Sequence, residues 1–210
     1  LVYDDTGFQL GRYDAAYGLA SVAVGRQFGT IGEVRLGVEG GAGEASLQEG
    51  DVAPRDFDVD LGRIFLAAGA DSLDNPFFPS RGMSGRFQWD AGLEALGNAT
   101  DFQTLRLDGL YAATSGRHTF IANLSGGDTV QGDLPLASLF TLGGPFSFPG
   151  YLVDELTGES FAALRGMYRY KLTDSSRSLL SLPIYAGATL VAGNAWARNI
   201  DLDDLRAKVA

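Results

Sequence analysis

The segment 161–173 constrains the fold more than any other part of the chain. Successive side chains of a β-strand point to opposite faces, and here the two faces differ sharply. One face is apolar and ends in tyrosines, and it comprises Ala162, Leu164, Gly166, Tyr168, Tyr170 and Leu172. The other face carries the cations, and it comprises Phe161, Ala163, Arg165, Met167, Arg169, Lys171 and Thr173. Such a strand is rarely buried in a dry sandwich, whereas it suits a barrel with a hydrated lumen and an apolar exterior.

The same two-residue period recurs along the chain and predicts an all-β, antiparallel fold. Strands are expected at 33–39, 83–94, 103–113, 118–126 and 184–192, with less regular strands at 16–28 and 57–72 and a final one beginning at 205. The expected connections are alternately short (29–32, 75–80, 115–116, 173–181) and long (46–56, 95–100, 128–159, 197–203). Because outer-membrane barrels have short periplasmic turns and longer external loops, the segment 128–159 is expected on the outer surface.

The composition of the chain excludes several classes of protein and several kinds of site. The chain has 210 residues and a net charge of −10, which argues against binding to nucleic acid. It contains no cysteine, so disulfides and thiolate metal sites are excluded within it. No apolar run reaches the roughly 18–20 residues that a membrane-spanning helix needs. If this chain enters a membrane, it does so as a closed β-barrel, because open sheet edges are not tolerated in hydrocarbon.

The sequence shows no catalytic constellation, and we expect neither enzymatic activity, nor a cofactor, nor a metal site. His118 is the only histidine, at a predicted strand start, so histidine-based triads and multi-histidine metal sites are absent from this chain. The spacing of Asp56, Asp58 and Asp60 is superficially that of a calcium loop, but the glycine and the glutamate that such a loop needs are missing. The segment 82–86 lacks the last glycine of a nucleophile elbow.

A soluble β-sandwich binding module remains an alternative, because it also has alternating strands and glycine-rich turns. Two features favour the barrel. The apolar faces contain many alanines and glycines, which fill a sandwich core poorly. The polar faces carry long side chains of both charges, and those expected to face the lumen are Arg35, Arg86, Arg106, Arg165 and Arg169.

Five segments of the chain carry motifs in a characteristic order. The first is the turn 71–82, whose matching positions are Asp71, Leu73, Asp74, Phe78, Pro79 and Gly82. The others are 142–144, 150–151, Gly158 and 193–196. Together they resemble the BamA/TamA-type outer-membrane barrels of bacteria. The resemblance implies a transmembrane barrel in the bacterial outer membrane. The chain as a whole, 1–210, is then expected to be the C-terminal part of a barrel domain of about sixteen strands, truncated at both ends and contributing about nine or ten of them.

One branch of that family resembles the chain most at 25–29 and 32–37, namely the barrels of patatin-like autotransporters. This resemblance implies a translocator that anchors and exports an upstream phospholipase domain and is preceded by POTRA domains. Outer-membrane lipids and lipopolysaccharide are the implied surroundings, and a homodimer is conceivable. An insertase of the assembly-factor kind, which opens its barrel seam to template new barrels, is the alternative within the same family.

The resemblance also implies a loop that folds into the lumen, where assembly factors pair a loop arginine with acidic groups on two strands. Pro149 stands at the arginine position here, and Met167 and Val191 stand at the acidic ones. Loss of all three together is physically coherent, because an isolated buried charge is strongly destabilising. We therefore expect an apolar latch anchored by Phe146, Phe148 and Tyr151. The loop motif is Gly143, Gly144, Phe148, Pro149, Gly150 and Tyr151, in which Pro149 and Gly150 set the bend.

Overall fold

The structure is a computed structural model. It describes residues 2–3, 9–50, 56–98, 100–135, 138–144, 148, 151–173, 183–197 and 206–209. Among these residues, no helix is both long enough and apolar enough to cross a membrane.

The described residues form twelve β-strands and one 3-10 turn, Glu94–Leu96. The first seven strands are β1 (Val2–Tyr3), β2 (Gln9–Phe28), β3 (Gly32–Gly50), β4 (Asp56–Asp71), β5 (Gly82–Gly92), β6 (Phe102–Ser115) and β7 (His118–Gly132). The remaining five are β8 (Phe140–Leu142), β9 (Leu156–Gly158), β10 (Ser160–Thr173), β11 (Ile184–Trp196) and β12 (Arg206–Val209). Ten of the twelve form a single sheet in the order β1 to β7, then β10, β11 and β12.

Every described pair of neighbouring strands is antiparallel, and β8 and β9 form a separate small hairpin. The predicted all-β, antiparallel fold is therefore confirmed. The connections β2–β3, β4–β5, β6–β7 and β10–β11 lie at one end of the sheet, which we call the short-turn end. The connection from β7 to β10, which contains β8 and β9, lies at the opposite end.

Several strand boundaries differ from the sequence expectation. β2 begins at Gln9, whereas the sequence predicted a strand only from residue 16. β3 continues to Gly50 and β7 to Gly132, where long connections were expected from 46 and from 128. The expected loop 128–159 also contains the two short strands β8 and β9. The reason is that backbone pairing, such as Gly11 with Gly50, extends a strand where the side chains no longer alternate.

The register of the sheet places the predicted lumen arginines on one face. Residues directly opposite each other in paired strands share a face. Arg35 lies opposite Ala67, which lies opposite Gln88, which in turn lies opposite Arg106. Arg106 continues through Gly127 to Phe161 of β10. The period of two within each strand then adds the other three arginines to this face, namely Arg86, Arg165 and Arg169.

The opposite face is apolar and open. Val22 and Val24 on β2 are 78% and 80% exposed, far beyond the usual exposure of a valine in a packed core. Large exposed side chains continue across this face, namely Leu36, Leu107, Tyr111, Phe120, Leu124, Leu164 and Leu190. No second sheet of the described residues covers them, so the β-sandwich alternative is wrong. An apolar exterior opposite a charged interior is the arrangement of a membrane barrel.

Candidate functional site in the lumen

The connection between β7 and β10 returns as a tight hairpin. β8 pairs with β9 from Phe140 opposite Gly158 to Leu142 opposite Leu156. Gly143 and Gly144 then have φ angles of +152° and +94°, which favour glycine. A side chain on Gly143 would overlap the carbonyl oxygen of Leu152. The motif Gly143-Gly144 is therefore required by the shape of the turn.

Backbone bonds close the tip of this hairpin. The amide of Phe148 donates to the carbonyl oxygen of Gly144 at 2.9 Å, and the amide of Gly144 donates to that of Tyr151 at 3.2 Å. Phe148 is thereby fixed at the tip with its ring 5.1 Å from the ring of Tyr151. The other predicted members, Phe146, Pro149 and Gly150, lie outside the described residues.

The tip packs on the lumen face of the barrel through apolar contacts. Phe148 is completely buried, as is Val191 on β11. Val191 lies opposite Arg165 and therefore faces the lumen. The cluster around them, which we call the loop latch, comprises Leu142, Phe148, Leu156, Ala163 and Val191, with Tyr151 and Ala195 packed against it. The described contacts of Phe148 are thus those of an apolar anchor.

A second contact joins the same hairpin to the barrel wall. The ring of Phe140 lies 5.2 Å from the ring of Phe161, which is buried on the lumen face of β10. The guanidinium carbon of Arg106 lies 5.3 Å from the centre of the same Phe161 ring. Gly127 lies beneath both rings, and a methyl group there would overlap them. Sequence reasoning missed Phe140 and Gly127, because their contacts with Phe161 join segments that are distant in the sequence.

The lumen face also carries ion pairs between side chains of opposite charge. Arg63 on β4 contacts Glu39 at 2.7 Å and Asp90 at 3.2 Å. Arg106 contacts Asp108 at 3.0 Å. Each pair at such partly exposed positions contributes little to stability, but together they keep this face hydrated. Arg63 was missed because the segment 57–72 alternates too poorly to assign its faces.

The turn between β4 and β5 is built by side-chain hydrogen bonds of the family motif. Asp74 accepts hydrogen bonds from the amides of Ser80 at 2.8 Å and Arg81 at 3.1 Å, and from the Ser80 hydroxyl. These bonds, led by that of the Ser80 side chain, lower the pKa of Asp74 to about 2. Asp71 likewise accepts a bond from the amide of Leu73 at 2.8 Å.

The turn closes on a strained glycine. Gly82 has a φ of +107°, and a side chain there would overlap the carbonyl oxygen of Ser72. Pro79 is buried, and its carbonyl oxygen accepts a 2.6 Å hydrogen bond from Nη2 of Arg169. The guanidinium carbon of Arg169 lies 3.6 Å from the ring centre of Phe78. The turn motif therefore meets one of the predicted lumen arginines.

The titratable groups offer no chemistry beyond this. His118 opens β7 on the outer face, and its Nδ1 forms a 2.7 Å hydrogen bond with the hydroxyl of Tyr168. In the part of the chain that the structure describes, no group of three or more His, Cys, Asp or Glu side chains is placed to hold a metal ion. The loop latch and the charged side chains therefore lie on the same face of the sheet.

The geometry agrees with comparison to known proteins. The family model of the Omp85 superfamily domain matches residues 4–208. The chain belongs to the Omp85 superfamily. Among solved structures, this Omp85 chain is similar to the crystal structure of BamA from Haemophilus ducreyi lacking POTRA domains 1-3, with a TM-score of 0.72 at 10% sequence identity. The match covers 88% of this chain and 42% of that BamA chain. No protein of curated function matches the sequence.

These findings confirm the predicted family at the level of the superfamily and the fold as part of an antiparallel transmembrane β-barrel. They also confirm the bacterial outer membrane as its location. They do not favour the patatin-like branch over other branches of the superfamily.

Proposed function

We propose that this Omp85 chain is the membrane-embedded part of a BamA/TamA-like machine that assembles proteins into the outer membrane. The observation that carries the proposal is the likeness of the fold to that of BamA, with a TM-score of 0.72 over 88% of this chain. The loop latch adds an argument against an open pore. Phe148 of the long loop and Val191 of the barrel wall are both fully buried in the same apolar cluster. The tip of the long loop therefore packs inside the lumen. An occupied lumen does not suit a general diffusion pore, which needs an open aqueous channel. The chain itself catalyses no reaction in this proposal.

The loop latch explains how the loop is held without a buried ion pair. Burial of Phe148 and its neighbours stabilises the loop by removing apolar surface from water. A charged latch would need every member present, because removing one partner leaves a buried charge that costs about 3–5 kcal/mol. Val191 and Met167 carry no charge, and this agrees with the proline at position 149, where assembly factors have the loop arginine.

The same apolar latch supports a second candidate, a translocator that anchors and exports an upstream domain. The family resemblance links assembly factors to a polar latch, in which a loop arginine pairs with acidic groups on two strands. Val191 stands at one of those acidic positions here and is buried among apolar side chains. A patatin-like phospholipase is the upstream domain that the sequence resemblance suggests. POTRA domains, lipopolysaccharide and outer-membrane lipids are the proposed partners in both cases, and a homodimer remains part of the proposal.

Depletion of the full polypeptide in its own bacterium separates the two candidates. An assembly factor predicts that folded, heat-modifiable porins fall in the outer membrane after depletion. A translocator predicts that porins stay at their normal amount while an upstream domain fails to reach the cell surface. Normal porins together with normal surface exposure of the upstream domain would reject both.

A further inference from the structure

The turn between β4 and β5 reaches across the lumen to β10. Arg169 is separated from Pro79 by 90 residues along the chain. In the sheet its strand, β10, is three places away from β5, with β6 and β7 between them. Contact between such distant strands requires the turn to fold inward. We call residues 71–82 the mouth turn, because it lies at the short-turn end of the barrel.

Arg169 binds the mouth turn through two contacts, and Tyr185 on β11 packs against both partners. The Nη2 of Arg169 donates to the carbonyl oxygen of Pro79 at 2.6 Å, and its guanidinium stacks on the ring of Phe78 at 3.6 Å. The ring of Tyr185 on β11 lies 5.1 Å from that of Phe78 and 5.6 Å from the guanidinium. Stacking on aromatic faces with a hydrogen bond is a favourable environment for a buried guanidinium. Arg169 is 7% exposed and Phe78 is 46% exposed, so the guanidinium is shielded from water while part of the ring stays exposed.

The mouth turn is rigid enough to act as one body. Asn75 accepts hydrogen bonds from the amides of Phe77 and Phe78, each at 2.9 Å, in addition to the bonds that Asp74 accepts. Thr114 at the end of β6 donates to the carbonyl oxygen of Ser80 at 2.8 Å. Movement of such a turn is therefore expected to follow release from Arg169 and Thr114, with its internal bonds kept.

We propose that the mouth turn is a gate at the short-turn end of the lumen, and that Arg169 is the positioning residue that holds it closed. Release of Phe78 and Pro79 from Arg169 opens this end of the lumen to ions and to an extended polypeptide. The gate rests on the proposed function only for its biological purpose, since its closure is a property of the barrel itself. It is distinct from the loop latch, which involves Phe148 and Val191.

Conductance of the full polypeptide in planar bilayers tests the gate. Arg169→Ala and Phe78→Ala are expected to raise the mean conductance roughly twofold or more, because each removes one half of the contact that closes the mouth. Arg169→Lys keeps the charge but not the planar stack, so it is expected to behave as Arg169→Ala. Arg63→Ala is the matched control, since it removes a lumen arginine that lies opposite Gly92, at the other end of β5 from the mouth turn.

Heat-modifiability on gels shows whether each variant is folded. If folded Arg169→Ala and Phe78→Ala conduct no more than the wild type, the gate is rejected. Conductance that rises equally in Arg63→Ala also rejects it, because loss of any lumen charge would then suffice.

A cross-link decides the matter if Arg169→Ala fails to fold. This chain contains no cysteine, so a Phe78→Cys, Tyr185→Cys double variant offers one defined pair within it. A short bifunctional thiol reagent is expected to join the pair in the membrane and to lower conductance, and the single variants serve as controls. Failure to cross-link in the membrane, or unchanged conductance after cross-linking, overturns the proposal. Since neither measurement needs a cargo, failure here is distinct from failure of the depletion experiment.

Discussion

Phe148 is the residue on which the closed lumen depends most. It is fully buried at the centre of the loop latch, so Phe148→Ala is expected to destabilise the folded barrel by about 3–5 kcal/mol. The measurement is the urea midpoint of heat-modifiable migration for the full polypeptide. Phe77 is the matched control, because it is 94% exposed and its replacement by Ala is expected to change stability by less than about 0.5 kcal/mol. Equal midpoints for the two variants would contradict the loop latch.

Asp74 gives a prediction about pH that concerns the mouth turn alone. Its pKa is lowered from 3.8 to about 2, so the hydrogen bonds that hold it are fully present above the ordinary value. They are lost as the pH falls through the lowered value. We expect the amide signals of Ser80 and Arg81, followed by NMR in detergent micelles, to titrate with a midpoint near the lowered value.

Asp74→Asn is the control for this titration, because it removes the titrating group while keeping one acceptor oxygen. The pH-dependent step is expected to vanish in that variant. A wild-type midpoint near the ordinary value of 3.8 would show that these hydrogen bonds do not form in the folded protein.

At the scale of single residues, the sequence predicted what local chemistry decides. The aromatic loop tip drew attention to Phe148 and Tyr151, and the alternation of β10 singled out Arg169 as a lumen cation. The residues that contact them could not be predicted from the sequence. Arg169 meets Phe78 and Pro79 through a turn 90 residues away, and such proximity depends on how far the turn folds inward.

The hairpin of β8 and β9 is the element that joins the long loop to the barrel wall. Gly127→Ala is expected to push aside the rings of Phe140 and Phe161 and to loosen this hairpin, at a cost of about 1–3 kcal/mol. Gly126→Ala is the adjacent control, because the nearest atom to its new methyl group lies at an ordinary contact distance of 3.5 Å. Limited proteolysis of the full polypeptide in liposomes is expected to cut the segment 133–159 faster only in Gly127→Ala. Identical cleavage rates in Gly127→Ala and Gly126→Ala would contradict the proposal that this hairpin joins the long loop to the barrel wall.

At the scale of elements, the sequence predicted which segments are strands better than where they end. The strands β5, β6, β10 and β11 alternate strictly and were placed almost correctly. β2 and β3 are 20 and 19 residues long, well beyond the roughly 9–11 residues that span a membrane. The half of β3 farther from the short-turn end is rich in glycine and carries Glu44 and Glu49. Pairing between the two strands, rather than side-chain pattern, extends them.

The two faces of the sheet govern the behaviour of the whole molecule in a bilayer. Leu124 faces outward and Ser125, its neighbour on β7, faces the lumen. Leu124→Arg is expected to destabilise the inserted barrel by about 2–4 kcal/mol, as charge on the lipid face does near the membrane midplane. Ser125→Arg is expected to be nearly neutral, because it lies near Asp108 on a hydrated face. Equal effects on folding into liposomes would argue against the assigned faces.

The central claim is that one face of the sheet meets lipid and the other meets a hydrated lumen, and single-cysteine scanning along β10 tests it most directly. This chain has no cysteine of its own, so one spin label can be placed in turn at positions 164 to 168. Electron paramagnetic resonance in liposomes then compares collisions with oxygen, which dissolves in lipid, and with a water-soluble nickel complex. The account predicts that Leu164, Gly166 and Tyr168 favour oxygen while Arg165 and Met167 favour nickel. Accessibility that does not alternate from one position to the next would contradict it.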